Sequence, residues 1–154
     1  MRVLNLLNEA GAEYQVEVLR NVYSAQQLAE ETHTQGCHVL KPVITRVGAR
    51  VIMAIVPADH RLDLEKLAHV LGGGDYPELV PEQEFPDLFD DADVGAQAPF
   101  GELYGMETVM DGSLHNSLHD VLFLYGSHRR AIRMPVTEFV RVASPTLAPI
   151  STHI

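Results

Sequence analysis

Two apolar runs joined around a glycine constrain this chain more than any other feature. Val39 to Val47 and Val51 to Pro57 flank Gly48. Runs of this length, rich in valine and isoleucine, read as two strands of a β-hairpin. The turn lacks Asn-Gly or Asp-Gly, so the apolar pattern carries the reading and the turn chemistry adds little. The second run continues to Ala58 and is the longest in the chain, yet it is only strand-sized. A membrane helix needs roughly 20 consecutive apolar residues, so no membrane span is expected.

Helical and strand patterns alternate on both sides of this hairpin. Val3, Leu4, Leu6, Leu7 and Ala10 recur at helical spacing, with Gly11 as C-cap. Tyr14, Val16 and Val18 alternate as in a half-buried strand. Ser24 and Gln27 fit a capping box that opens a helix reaching about His33. Asp63 caps a helix bearing Leu64, Leu67, Ala68 and Leu71, stopped by Gly72. Leu79 and Val80 suggest a short strand, and Pro81 to Phe89 a short helix. Asp90 to Gly105 has little periodicity and reads as a long ordered loop, of the kind that often carries function. Thr108 to Met110, Asp120 to Tyr125 and Ala131 to Met134 read as strands, and Val136 to Val140 as a last helix. From Ser144 the chain is rich in Pro, Ser and Thr and is expected to fray. Interspersed helices and strands with short turns predict a mixed α/β (α+β) fold, with a mixed sheet and helices packed on it.

Composition narrows the function classes. A length of 154 residues suits one domain, 1–154, able to bury a core without a staple. The formal net charge of −10 argues against broad contact with a nucleic-acid body, and so against DNA, while leaving room for one nucleotide end in a pocket. Cys37 is the sole cysteine, so no intrachain disulfide is expected; with no signal-peptide pattern this favours the cytoplasm.

Three features are candidates for chemistry. Lys41 interrupts an apolar strand pattern, with Pro42 beside it. It is either a lysine on a solvated edge strand or a cation at a pocket mouth, held for a phosphate or carbonyl oxygen. The loop from Gly95 to Gly101, with Ala96 and Pro99, is either a surface turn or a backbone that turns amides toward a developing oxyanion. Gly126, Ser127 and His128 follow a strand, and His128 is a general base, a pocket wall or a loop histidine. His115 and His119 are four apart, but Asn116 stands where a zinc-protease helix needs glutamate, so no metal or other cofactor is expected. Cys37 has no evident base partner, and no Ser-His-Asp order is recognisable.

These features occur together and in order. Val22-Tyr23-Ser24-Ala25 comes first, then Leu40-Lys41, then Val56 to Leu64, the Gly95-to-Gly101 loop and Gly126-Ser127-His128 before Ile132-Arg133-Met134. In that combination, over about Val3 to Val142, the chain resembles the YbaK/prolyl-tRNA-synthetase-associated-domain family of aminoacyl-tRNA deacylases. The resemblance implies a distorted, barrel-like mixed sheet with surrounding helices. It implies hydrolysis of the ester joining a wrong amino acid to the terminal adenosine of tRNA. The partner is then the acceptor end of an aminoacyl-tRNA, with an aminoacyl-tRNA synthetase as a further candidate. It assigns Lys41 and Gly95 to catalysis, with Lys41 anchoring the nucleotide and the loop amides holding the carbonyl oxygen. It assigns Tyr23, Ser24, Ala96, Pro99, Gly101, Gly126, Ser127 and His128 to substrate binding, His128 as a selecting residue. A ribose hydroxyl of the substrate would orient the water. A non-catalytic domain binding a nucleotide or amino acid is the alternative, because fold alone does not decide activity. Pro42 departs from members with a small or polar residue after the lysine, which leaves the amino acid removed open.

Overall fold

In the computed structural model, which describes residues 2–116 and 119–154, the chain begins with α1 (Arg2–Glu9), β1 (Gln15–Val18) and α2 (Ala25–Glu31). The hairpin β2 (Leu40–Val47) and β3 (Arg50–Pro57) follows, then β4 (His60–Leu62), α3 (Leu64–Val70), β5 (Glu78–Leu79) and α4 (Phe85–Leu88). The second half holds β6 (Glu107–Asp111), β7 (Asp120–Tyr125), β8 (Ser127–Pro135), α5 (Val136–Ala143), β9 (Thr146–Ala148) and β10 (Ser151–His153).

The predicted hairpin is the centre of a five-stranded mixed sheet ordered β5-β2-β3-β6-β9. β2 and β3 pair antiparallel from Leu40 opposite Pro57 to Val47 opposite Arg50, and β3 pairs parallel with β6. Successive side chains on a strand face opposite ways, and on β3 both ways lead into core. Met53 and Ile55 join one apolar cluster while Ile52, Ala54 and Val56 join another. That double burial explains an apolar run without polar alternation. The remaining strands form a three-stranded sheet, β1-β8-β7, and a pair, β10-β4. The barrel-like expectation is therefore met only loosely, because the described strands divide among three sheets and no sheet closes on itself.

Local signals act where they stand. Gly11 takes φ 64° after α1, and Gly48 takes φ 60° in the hairpin turn. Asp63 caps α3 by accepting from the amides of Glu65 and Lys66. α1 and α5 lay Val3, Leu7, Val136 and Phe139 on the main core, where the Phe100, Phe123 and Phe139 rings meet at 5.0–5.7 Å. α2 places Leu28 against Leu122 and Leu124 of β7 in a second cluster. That contact fixes the start of α2 relative to the β7–β8 corner.

The segment after Ser144 departs from the frayed expectation. β9 pairs parallel with β6, and β10 pairs antiparallel with β4. Asp111, at the end of β6, anchors the link between the two strands: its carboxylate accepts from the Ile150 amide at 2.9 Å and from the Ser113 amide at 3.2 Å. Burial alone would push the Asp111 carboxyl up. The hydrogen bonds from the Ser113 hydroxyl, the Ile150 amide, Ser151 and the Ser113 amide outweigh it and hold the group below the ordinary aspartate value. Ile150 is fully buried beside Leu67 of α3. Pro- and Ser-rich composition describes local preference, and these long-range partners override it.

Candidate active site

α2 begins beside a cavity because Ser24 stops the preceding extended chain. Its hydroxyl accepts from the Gln27 amide at 3.0 Å, and Gln27 Oε1 in turn accepts from the Tyr23 amide at 2.7 Å. This is the capping box expected from the sequence, with its return bond reaching one residue further back. Tyr23 is left 67 % exposed, its ring centroid 5.3 Å from that of His128.

Lys41 lies on β2 over a stretch that β5 does not reach, so this part of the strand is an edge. Its side chain is half-buried, and Nζ donates to the His60 carbonyl at 2.6 Å. Burial pushes the Lys41 pKa down, the Asp59 carboxylate pulls against that, and Arg61 adds to the lowering. An ammonium has three N–H groups, so the bond to His60 leaves two for a ligand.

The long loop is bound to the β7–β8 corner by its backbone. Asp93 donates to the Gly126 carbonyl at 2.9 Å, and the Gly126 amide donates to the Ala96 carbonyl at 2.7 Å. Gly95 turns with φ 88°, and a Cβ there would lie 3.3 Å from His128 Cε1. Both the left-handed backbone and the close imidazole call for glycine. Its amide donates to Gln97 Oε1 at 3.0 Å, and the Ala96 amide donates to the Asp93 carbonyl at 2.9 Å. Those two amides are committed inside the loop. The amides of Gln97 and Ala98 and the Gln97 side-chain NH2 make no hydrogen bond among the described residues.

His128 braces this arrangement. Nδ1 lies 2.8 Å from the Val22 carbonyl and Nε2 lies 2.8 Å from the Val94 carbonyl. Whatever its protonation, both ring nitrogens face carbonyl oxygens, so the ring is placed as a strut and not as a base toward a water.

These elements enclose a cavity of about 390 Å³. Tyr23, Ser24, Lys41, Glu82, Gly95 and Gln97 supply its polar lining, and Leu28, Leu40, Ile44, Phe85 and Leu124 much of its apolar wall. Of the residues singled out in the sequence, Tyr23, Ser24, Lys41 and Gly95 are thus brought together. Ala96, Pro99 and Gly101 are buried behind the lining, Gly101 donating to Thr108 Oγ1 at 3.1 Å. Gly126 and Ser127 line a neighbouring cavity of about 450 Å³ with Arg129 and Arg130. Pro42, the departure from the family pattern, faces the cavity, so its lost amide falls on the lining. Cys37 lies outside both cavities. His115 and His119 separate: His115 lines a cavity with Asp111, and His119 stacks on His38 at 3.7 Å. The sequence reading did not single out Gln97 or the apolar wall. Gln97 stood in the quoted loop, but only its 5 % exposure marks it as a polar side chain held inside.

Comparison with known proteins fits this geometry. The family profile described as the aminoacyl-tRNA editing domain matches residues 20–142, which spans Tyr23, Lys41, the Gly95 loop and His128. Two curated relatives, from Escherichia coli K12 and O157:H7, are both named multifunctional Ser/Thr-tRNA deacylase ProXp-y. Each is 25 % identical over 150 residues, covering 95 % of this chain and 89 % of the relative. The crystal structure of a hypothetical protein, APE2540, superposes with a TM-score of 0.88 at 18 % identity, covering 99 % of this chain and 100 % of that one. Another, described provisionally as a trans-editing enzyme for prolyl tRNA synthetase, superposes with a TM-score of 0.84 at 20 % identity, covering 98 % and 95 %. With most of its length, including every element around the cavity, matched by one profile, the chain belongs to the aminoacyl-tRNA editing domain family.

Proposed function

We propose that the chain is a hydrolase that deacylates tRNA carrying a wrongly attached small amino acid, with the ester held in the Lys41–Gln97 cavity. The observation that carries this reading is the cavity itself. It offers a tethered cation, uncommitted N–H donors and the exposed Glu82 carboxylate beside an apolar wall. Such a site suits a substrate with a charged nucleotide end and a small side chain. The names of the two relatives, Ser/Thr-tRNA deacylases, support small amino acids as the substrate class.

On this reading Lys41 holds the terminal nucleotide with its two remaining N–H groups. The Gln97 amides take the role first given to Gly95, because the Gly95 amide is already used. They face the carbonyl oxygen as it becomes an oxyanion. Gly95 contributes shape: its turn sets Gln97 into the cavity. The water attacks the carbonyl carbon, the bond to the ribose oxygen breaks, and that oxygen leaves with a proton. The amino acid departs as its carboxylate. The vicinal ribose hydroxyl orients the water, a role that neither the braced His128 nor the distant Cys37 is positioned to fill.

The acceptor end also has a place to rest. Arg20, Arg129 and Arg130 form no ion pair among the described residues, and Arg129 and Arg130 line the cavity next to the His128 brace. On a chain of net charge −10, three unpaired arginines at the end of β1 and the start of β8 offer local attraction for phosphates. A deacylation screen over matched and mischarged aminoacyl-tRNAs tests the proposal. Release above the uncatalysed rate from one bearing a small amino acid is expected, and no release from any member overturns it.

A further inference from the structure

A second group of polar side chains converges outside the cavity, where the C-terminal strand meets the β3–β4 turn. Asp59 lies in that turn, His60 opens β4, and His153 lies on β10 directly opposite His60. His153 Nε2 is 3.5 Å from Asp59 Oδ2, and His60 Nδ1 is 3.9 Å from Asp59 Oδ1. One donor atom from each residue lies within 4.8 Å of the others.

Two of the atoms in this group are costly as they stand. Asp59 Oδ1 and His60 Nδ1 are buried and make no hydrogen bond among the described residues. Buried polar atoms are almost always satisfied, and a carboxylate oxygen facing an imidazole nitrogen invites a shared cation. We propose that Asp59, His60 and His153 form a binding site for a divalent transition metal of the zinc class, which clasps β10 onto β4. Two imidazoles and one carboxylate suit zinc better than magnesium or calcium, which favour oxygen ligands. Ligands about 2.0–2.2 Å from a tetrahedral ion lie about 3.3–3.6 Å apart. The His153–Asp59 pair already has that spacing, at 3.5 Å. The His60–Asp59 separation of 3.9 Å is wider and would have to shorten on binding, while His153, 69 % exposed, has room to turn toward both. Solvent supplies the fourth position.

The site is structural in character. It joins strands far apart in sequence, and the Ile154 amide already donates to the Asp59 carbonyl at 3.0 Å across the same junction. It also steadies the turn whose His60 carbonyl holds Lys41. The proposal does not rest on deacylation, and its test needs no substrate.

The protein is stripped with a chelator and dialysed, then titrated with zinc by calorimetry and followed by thermal melting. Cobalt(II) serves as a spectroscopic probe of tetrahedral coordination. One ion per chain, a zinc-dependent rise in Tm of several degrees and a visible cobalt band are expected. His153→Ala and Asp59→Asn should each weaken zinc binding at least tenfold and remove the rise in Tm. Because His153 is exposed, metal-free His153→Ala should melt like the metal-free wild type. No zinc uptake, or uptake that survives both substitutions, overturns the proposal.

Discussion

The Asp90–Gly105 loop and the segment after Ser144 look alike in sequence, both aperiodic and both broken by glycine or proline, yet they fold in opposite ways. The loop makes no strand and goes inward: Ala96 to Gly101 are all buried. The terminal segment stays nearer the surface and makes two strands. What separates them is the partner each one finds. The loop meets the β7–β8 corner, where the Gly126 carbonyl accepts from the Asp93 amide and the Gly126 amide donates to the Ala96 carbonyl, so it is held by single backbone bonds and not by a ladder. The terminal segment meets two open strand edges, on β6 and β4, and extends them. The loop therefore shapes the cavity, while the terminal strands extend two strand edges outside its lining.

If that division holds, substitutions in the loop region should disturb activity and those in the terminal region stability alone. The largest effect is expected from Gly101→Ala. A Cβ there would lie 2.3 Å from Thr108 Oγ1 and 2.8 Å from the Met106 carbonyl, and the second obstacle is backbone. Overpacking of this kind costs about 1–3 kcal/mol, and this case belongs at the upper end. Melting should show a lower Tm and the deacylation assay a fall with it. An unchanged Tm would mean the loop is looser than its packing indicates.

Lys41→Ala should come next. Losing a charge-assisted contact of about 1.5–3 kcal/mol lowers kcat/KM roughly ten- to a hundredfold. The fall should reach kcat if the contact tightens in the transition state. Lys41→Arg, which keeps the charge and changes its reach, separates charge from geometry. A folded Lys41→Ala protein with wild-type turnover would remove Lys41 from the site.

His128→Ala removes the brace between the Val22 and Val94 carbonyls and reshapes the cavity from behind, through Gly95 and Tyr23. The ranking of amino acids should shift by about tenfold, equal to 1.4 kcal/mol of differential contact. Measuring kcat/KM for the best substrate and for one larger and one smaller amino acid reads this directly. An equal loss on all three would assign His128 to general support of the fold.

The smallest effect is expected in the terminal region. Asp111→Asn keeps an acceptor but loses the charge, at a cost of about 1 kcal/mol. Turnover at a temperature where the variant is folded should not change. The folded pKa of Asp111 is lowered, so its stabilisation is complete above the ordinary carboxylate value of about 4 and is lost as pH falls through the lower folded value. The Tm gap between wild type and variant should therefore close in acid. A gap that persists there would point to packing and not to the charge.

Lys41, Gly95 and Ser24 were legible because each breaks or caps a local pattern. Gln97 was not, because nothing local tells a buried glutamine from an exposed one. His128 was legible as a residue but not as a strut, since its two carbonyl partners come from segments near Val22 and Val94, distant in sequence. Asp59 and His60 stood in the motif run from Val56 to Leu64, but their grouping with His153 was not legible, because β10 brings that residue to them from far along the chain.

The chain's own sequence dictated the helices, the central hairpin and the mixed fold class, because periodicity, caps and turn glycines act within a few residues. It also carried the family, through an ordered set of short motifs. The three-way division of the strands, the inward path of the loop and the terminal strands were settled by long-range contact. Backbone groups left unpaired locally take whatever partner the packed core presents, and that partner is not written beside them.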